Sequence, residues 1–491
     1  MIAKQKYGNT AEVMGYDFTE YNYLYDGEFM TKAEGKSELI NEVKKKVGDG
    51  LPEAMDLPIL DLEGVVVIDF MAQVRAIKLK SKNDSSTDKA NSSFTFGDLI
   101  NNFFNSFFYS NRRAGGFHII FDSYLTVSIK GSEREKRGAR GSIRLAEIGD
   151  QTPIPVQIEK FWSCSQNKVI LQEFAKEKLL KLACDHSVRI VVSGTVSDEE
   201  APTPGQAFSP ETGVTSLIPD LSSHLEEADH RIILHIEWEL KQTANTSRPE
   251  ICVETNDTDV VVLLLYYFQG YSEKGLRRLW VKHGRGDKTC FLPLHTIHGQ
   301  LGENESKCML KTHIGTGCDY LSKVGTKRSA LAANPVVTLP TFGDSLTLRE
   351  CEIDEAEAYL VRVYSSAPKT VTDKTFDAPR YEMYKKNMSV LQLPPTSYSV
   401  RNGHIPRWWY IFKTQSHLLD SVYGEQLKPE NWGWVIEDDE LLPVKALNLV
   451  PDKLAETCKN CSSGCSTKRC CCKRNGFPCN EFCGCKNCTN N

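Results

Sequence analysis

ICVETNDTDVVVLLLYYF occupies residues 251–268. Its opening ICVET reads as a short buried strand. Its close, VVVLLLYYF, is the longest apolar run in the chain. Between them stand Asp257 and Asp259, one residue apart. One reading is a helix start, since Asp is a good N-cap and suits the positive end of a helix dipole. A second reading follows from position. In an open α/β sheet the carboxyl edge of the strands is where ligands bind. The choice turns on whether other carboxylates reach the same edge.

Working outward, LEGVVVIDF (62–70) is a continuous apolar run ending in acid, as expected of a strand buried on both faces. GFHIIFD (116–122), VRIVVSG (188–194) and RRLWVKHG (277–284) read as further strands. Helical patterns fall between them. They are FGDLINNFFNSFF (96–108), EKFWSCSQNKVILQEFAKEKLLKLAC (159–184) and LSSHLEEADHRIILHIEWELKQ (221–242). In the last, Ser222 or Ser223 would serve as cap. Two more helices are expected around PLHTIHGQLG and through GCDYLSKVGTKRSALAAN, and SELINEVKKKVG (37–48) as a surface helix. TVSDEEAPTPGQAFSPETG (195–213) is polar, holds three prolines and lacks periodicity, so a mobile loop is expected. Strands alternating with helices predict an α/β fold, a mostly parallel sheet flanked by helices on both faces. No internal repeat is evident.

The chain has 491 residues, room for two to four domains at ~150 each. The divisions expected are an N-terminal extension (1–60), an α/β domain (61–330), a helical or irregular extension (331–451) and a cysteine-rich module (452–491). A net charge of −5 argues against a wholly basic nucleic-acid binder but leaves room for a local basic patch. MIAKQKYGNT lacks the apolar core of a secretory signal. The longest apolar run is far short of the roughly 20 residues that span a bilayer. A soluble intracellular protein with no membrane partner is expected.

Three strands end in acid: Asp69, Asp122, and the pair Asp257 and Asp259. The helix segment LEEADHRI adds Glu227 and Asp229, and the turn-like GTGCDY adds Asp319. Like charges crowded together repel unless a cation sits among them. Hard oxygen ligands without histidine suit Mg²⁺ or Mn²⁺. Two such ions about 4 Å apart activate water and stabilise a leaving oxygen in phosphodiester hydrolysis.

This set resembles the PIN-like nucleases, in particular their flap-endonuclease branch. Asp69 and Asp122 resemble the acids ending the family's first two strands. Glu227 and Asp229 resemble its Glu-x-Glu pair, with Asp for the second Glu. Asp257 and Asp259 resemble its Asp-x-Asp pair. Asp319, in GCDY followed by VGTKRSA, resembles its Gly-Cys-Asp-Tyr motif, which there leads into a helical hairpin that grips duplex DNA. The resemblance covers roughly 61–330 and implies two Mg²⁺ or Mn²⁺ ions held by these seven acids. Lys130, Arg134, Arg137 and Arg140 stand where family members carry basic residues that contact the scissile phosphate. By themselves they read equally as a solvated charged helix. The region after Arg144 does not resemble the family's arch. Residues 331–450 resemble the downstream part of metazoan, transposon-associated proteins that join such a core to a cysteine-rich tail.

Of 17 cysteines, ten lie between Cys458 and Cys488. The other seven (Cys164, Cys184, Cys252, Cys290, Cys308, Cys318 and Cys351) are expected as free, mostly buried thiols. The tail shows no sign of an oxidising compartment, so zinc thiolate is preferred to disulfide. The spacing C-x-C-x₆-C-x₃-C-x-C-x₂-C-x-N, Cys470 to Asn490, resembles the tesmin-like CXC domain. That resemblance implies three zinc ions on nine cysteines, some of them bridging. The candidates are Cys458, Cys461, Cys465, Cys470, Cys472, Cys479, Cys483, Cys485 and Cys488. Cys471 is extra, in the spacer of the family's C-x-C. The opening C-x₂-C-x₃-C also departs from the family's C-x-C-x₄-C. A segment this short buries no useful core, so metal must supply its folding energy. Lys459, Lys468, Arg469, Lys473, Arg474 and Lys486 oppose one acid, Glu481, which favours phosphate contact. Arg469 stands where tesmin relatives place a Tyr in the minor groove, and Arg suits narrow A·T-rich grooves. A zinc-stabilised protein-interaction knob is the alternative.

These observations lead to an expectation of a nuclear, Mg²⁺- or Mn²⁺-dependent nuclease acting on DNA or RNA and tethered to DNA by the zinc module. The alternative is a non-enzymatic DNA- or chromatin-binding protein on a PIN-like scaffold. A protein-assembly factor is a third reading.

Overall fold

The computed structural model describes residues 14–17, 23–26, 29–31, 35–48, 64–77, 94–125, 127–129, 142–196, 201–243, 249–284, 289–364, 374–386, 393–420, 427–438, 440–449, 464–474, 479 and 488–490. Two short N-terminal strands, β1 (Tyr25–Asp26) and β2 (Phe29–Met30), pair antiparallel, and helix α1 (Glu38–Val47) follows.

The main sheet has eight strands. They are β3 (Val65–Asp69), β4 (Gly116–Ile120), β5 (Ile190–Val192), β6 (Gly205–Ser209), β7 (Val214–Ile218), β8 (Glu250–Glu254), β9 (Arg278–His283) and β10 (Cys290–Pro293). Their order is β10-β9-β8-β3-β4-β5-β6-β7. The five central strands, β9, β8, β3, β4 and β5, run parallel. β10, β6 and β7 close the two edges antiparallel.

Every residue of β3, VVVID, is buried. The pleat sends its side chains to alternate faces. Val65 and Val67 enter one hydrophobic cluster, Val66 and Ile68 the other. Ile251 and Val253 of β8 join the first and Cys252 the second. The helices α2 (Phe70–Val74), α3 (Phe96–Phe108), α4 (Ile158–Trp162) and α5 (Ser165–Asp185) build the second face. On the first face lie α6 (Ala228–Thr243), α7 (Thr258–Glu273), α8 (Leu294–Leu301) and α9 (Glu303–Gly315). Helix α1 joins them as a surface helix with one buried face, placing Leu39, Ile40, Val43 and Val47 in that cluster while Asn41, Lys45 and Lys46 are exposed.

Several expectations are corrected. The proline-rich stretch 195–213 is not a loop throughout, because it supplies β6 and the turn into β7. Pro204 stands just ahead of β6 and Pro210 just after it, where no ladder N–H is needed. The helix expected over 159–184 is two helices, broken at Ser163 and Cys164. α6 begins at Ala228, so neither Ser222 nor Ser223 caps it. GCDYLSKVGT is a turn. The helices beside it are α9 before and α10 (Lys327–Ala332) after. Cys184 and Cys351 are exposed.

Downstream come α11 (Pro335–Thr338), α12 (Glu350–Tyr364), α13 (Asp377–Lys385) and α14 (Ile405–Ser416). The hairpin β11 (Trp434–Glu437) and β12 (Glu440–Pro443) follows. Trp408 and Trp409 of α14 are fully buried in the first-face cluster. The Trp408 indole N–H donates to Lys311 O at 2.9 Å. Asp17, buried, pairs with the far end of the same body. Its N–H donates to Asn448 O at 2.8 Å, and its Oδ2 accepts from Asn448 N at 3.1 Å and Ser399 Oγ at 2.9 Å. Among the described residues no helix is long and apolar enough to cross a membrane.

Candidate functional site

Parallel register places the acids. Asp69 ends β3 opposite Ile120 of β4, and Asp122 lies two residues beyond. β8 pairs with β3 on the other side, and Asp257 lies three residues past its end. All three therefore stand at the carboxyl edge. Each also serves a helix. Asp69 caps α2, its Oδ1 accepting from Ala72 N at 3.0 Å. Asp257 caps α7, its Oδ1 accepting from Asp259 N at 2.9 Å. Asp122 Oδ1 accepts from Ala228 N at 2.8 Å, so it caps α6 from a different part of the chain. Glu227 therefore precedes α6 and is buried, while Asp229 sits half-buried in its first turn.

The acids feel one another. Burial, followed by the charge of Asp122, pushes the Asp69 carboxyl up to about 7, with Asp257 and Glu227 adding to the rise. Burial and the charge of Asp259 raise Asp257 to about 6, Asp319 contributing and Lys36 opposing. Asp319 is exposed in its turn. The edge gathers charge without closing into a tight cage. Among the described residues no three carboxylates bring oxygens within 4.8 Å of one another, and both tight ligand groups consist of cysteines.

Four side chains that the sequence reading did not single out organise this edge. Arg231, buried, donates to the carbonyls of Leu225 (2.6 Å), Ser223 (3.2 Å) and Gly194, and to Ser123 Oγ at 3.0 Å. It thus ties the segment leading to Glu227 to the segments following β4 and β5. His313 of α9 is buried and held neutral, first by burial and then by nearby Lys327. Its Nε2–H donates to Asp259 Oδ1 at 2.8 Å. Lys327, its pKa lowered to about 8 by burial, donates to His313 O (2.7 Å), Thr316 Oγ1 (3.0 Å) and Gly317 O (2.6 Å). That fixes the turn carrying Asp319. Lys36 lies 3.4 Å from Asp259 Oδ2 and is ion-paired with Asp319. For His313 there was no distinctive signal, since Ser306, Lys311 and Thr312 of the same helix are polar and buried as well. For Lys36 there was none.

Lys130, Arg134, Arg137 and Arg140 lie outside the described residues, as do Cys458, Cys461, Cys483 and Cys485. The other five ligand candidates come together. Cys465, Cys479 and Cys488 form one group and Cys470, Cys472 and Cys479 another, with sulfurs within 4.8 Å in each. Either group can hold a metal ion, and zinc is compatible with both. Cys479 belongs to both, its Sγ 3.4 Å from that of Cys470. Cys471, half-buried, belongs to neither. It opens the short helix α15 (Cys471–Arg474). Lys468, Arg469, Lys473 and Arg474 are all exposed beside the cluster.

A small cavity lies under α1, against the first-face helices. It measures about 10 Å³, is lined mainly by apolar residues such as Leu39, Val262 and Leu292, and is too small for any ligand. Comparison with protein families and with curated proteins found no match.

Proposed function

We propose that the chain is a divalent-metal-dependent nuclease of the PIN-like, flap-endonuclease type, docked on DNA by a C-terminal zinc module of the CXC type. The observation that carries this reading is the gathering of Asp69, Asp122 and Asp257 at one carboxyl edge, within one another's field. The Asp69 carboxyl is lifted to about 7 first by burial and then by the charges of Asp122, Asp257 and Glu227, and a divalent cation would offset the part that charge contributes. The donors are hard oxygens, which fit Mg²⁺ or Mn²⁺. Asp69, Asp122, Glu227, Asp229, Asp257, Asp259 and Asp319 would hold two such ions. Bound there, they would supply an activated water and a counter-charge for the leaving oxygen. The protein's own part is positional. Arg231 holds the approach to Glu227, His313 orients Asp259, and Lys327 fixes the turn of Asp319.

In the tail the two cysteine groups and their shared Cys479 support a zinc cluster, three ions in all once Cys458, Cys461, Cys483 and Cys485 are counted. The exposed Lys468, Arg469, Lys473 and Arg474 favour the DNA backbone as partner, with RNA as an alternative substrate for the core and the nucleus as the site of action.

The test is incubation of the full chain with end-labelled flap, hairpin and single-stranded substrates in Mn²⁺. Cleavage that disappears in the Asp257→Asn, Asp259→Asn double variant is the expected result. A second reading, a non-enzymatic DNA- or chromatin-binding protein, draws on the open spacing of the carboxylates and the ammonium among them. Salt-dependent binding with no cleavage of any substrate would establish it over the first.

A further inference from the structure

Lys36 stands immediately ahead of α1, following Gly35 at φ +70°. Its place is fixed by the helix behind it. α1 buries four apolar residues against the first-face core. Glu42 of α1 pairs with Arg328 at 3.2 Å, and Lys46 pairs with Glu305. α1 packs on both α8 and α10. The Lys36 side chain is only 19% exposed. It reaches Asp259 Oδ2 at 3.4 Å and also Asp319, two carboxylates that come from different segments. The other oxygen of Asp259 is engaged by His313.

We propose that Lys36 is a resident cation of the acid edge, filling the place between Asp259 and Asp319 that a second divalent ion would take. This rests on the metal-dependent reading above and refines its count: the two-ion state described there is reached only once Lys36 has been displaced. An ion bound through both of these carboxylates would contact the oxygens that now accept from the ammonium, and the two positive charges would repel. The core therefore takes one divalent ion readily, and a second only by displacing Lys36. Lys36 is a positioning residue here, setting how many ions the edge holds.

The experiment counts Mn²⁺ bound to the zinc-loaded full chain, by titration calorimetry and by electron paramagnetic resonance of the free ion. Wild type is expected to bind one Mn²⁺ per chain at the core. Lys36→Met should bind two, and Lys36→Arg one. Adding Asp319→Asn to Lys36→Met should return the count to one, since the new place loses a carboxylate. Should Lys36→Met fail to fold, Lys36→Gln takes its place in the series. Equal stoichiometry in wild type and Lys36→Met, or two ions retained after Asp319→Asn, overturns the inference while leaving the metal reading intact. No Mn²⁺ on either protein removes both.

Discussion

Asp257 serves the fold and the site with the same carboxylate. It caps α7, and it belongs to the charged edge. Asn caps as well as Asp but brings no charge. The Asp257→Asn, Asp259→Asn variant should therefore melt near the wild-type temperature without divalent ions yet lose the upward shift that Mn²⁺ gives wild type. Thermal melts with and without Mn²⁺ check this, and an undiminished shift counts against the acids as ligands. Cys471 offers a similar contrast. Cys472 shares a ligand group with Cys470 and Cys479, and Cys471 shares none. Cys471→Ser should keep its full zinc content, whereas Cys472→Ser should lose at least one ion per chain by metal analysis. Equal losses would mean that the assigned register is wrong. Gly315 is a case of packing alone. A Cβ there would lie 2.3 Å from the Trp408 ring. Gly315→Ala should cost about 1–3 kcal/mol in denaturant unfolding, the usual penalty of overpacking.

At the scale of elements, β4 and α6 are joined by an uncommon buried contact. His118 Nε2 lies 3.0 Å from Glu239 Oε2, and its Nδ1 lies 3.1 Å from His235 Nδ1. Glu239 remains ionised. Burial opposes this, but the bond from His118 and the paired Arg189 outweigh it and draw the pKa down to about 2. His118 Nε2 therefore carries the proton, its Nδ1 accepts from His235, and His235 Nε2 is a buried lone pair without a partner in the described structure. Burial lowers the pKa of both rings, with Arg231 and the opposing ring adding to the effect at His235. The folded chain thus keeps them neutral below about 6.5, where an unfolded histidine takes up a proton. The stability from this pair is complete above that pH and falls away as the solution becomes more acidic. Urea midpoints should drop from pH 7.5 to 5.5, and the drop should be smaller in His235→Leu. An identical pH dependence in the variant would show that the pair is not its source.

The same elements show what local sequence conveys. β3, β4 and β8 were legible because a strand covered on both faces must be apolar throughout. β6 and β7 were not. They close an edge, and four of the five β7 residues are exposed, so no apolar pattern marks them. The start of α6 was misplaced for another reason. Its cap, Asp122, comes from 106 residues earlier, and no local signal could announce it. Lys36 and His313 escaped notice in the same way, because each acts on Asp259 across the fold. The acids were legible because several of them end recognisable strands. Their spacing was not, since it depends on how the loops settle.

For the molecule as a whole, the sheet body and the cysteine module have separate sources of stability, an apolar core in one and thiolate ligands in the other. Deleting 452–491 should leave the unfolding of the body nearly unchanged. It should also weaken DNA binding and flatten its salt dependence, because Lys459, Lys468, Arg469, Lys473, Arg474 and Lys486 go with it. Binding isotherms at several salt concentrations read both quantities. An unchanged slope would mark the module as a contact for protein instead.

The strand order also sets a timetable for synthesis. β3 is the first strand of the main sheet to be made, yet its neighbour on one side, β8, begins only at Glu250. On a ribosome adding about 5–20 residues per second, that edge of β3 waits roughly 10–40 s for its partner. Throughout the wait a run of valines with an unpaired ladder is open to other nascent chains. The last fastening comes later still, when Asn448 emerges to meet Asp17. A chain stalled between residues 120 and 250 carries half a sheet with a bare, adhesive border, and it is at this stage of its manufacture that the protein has most need of a chaperone.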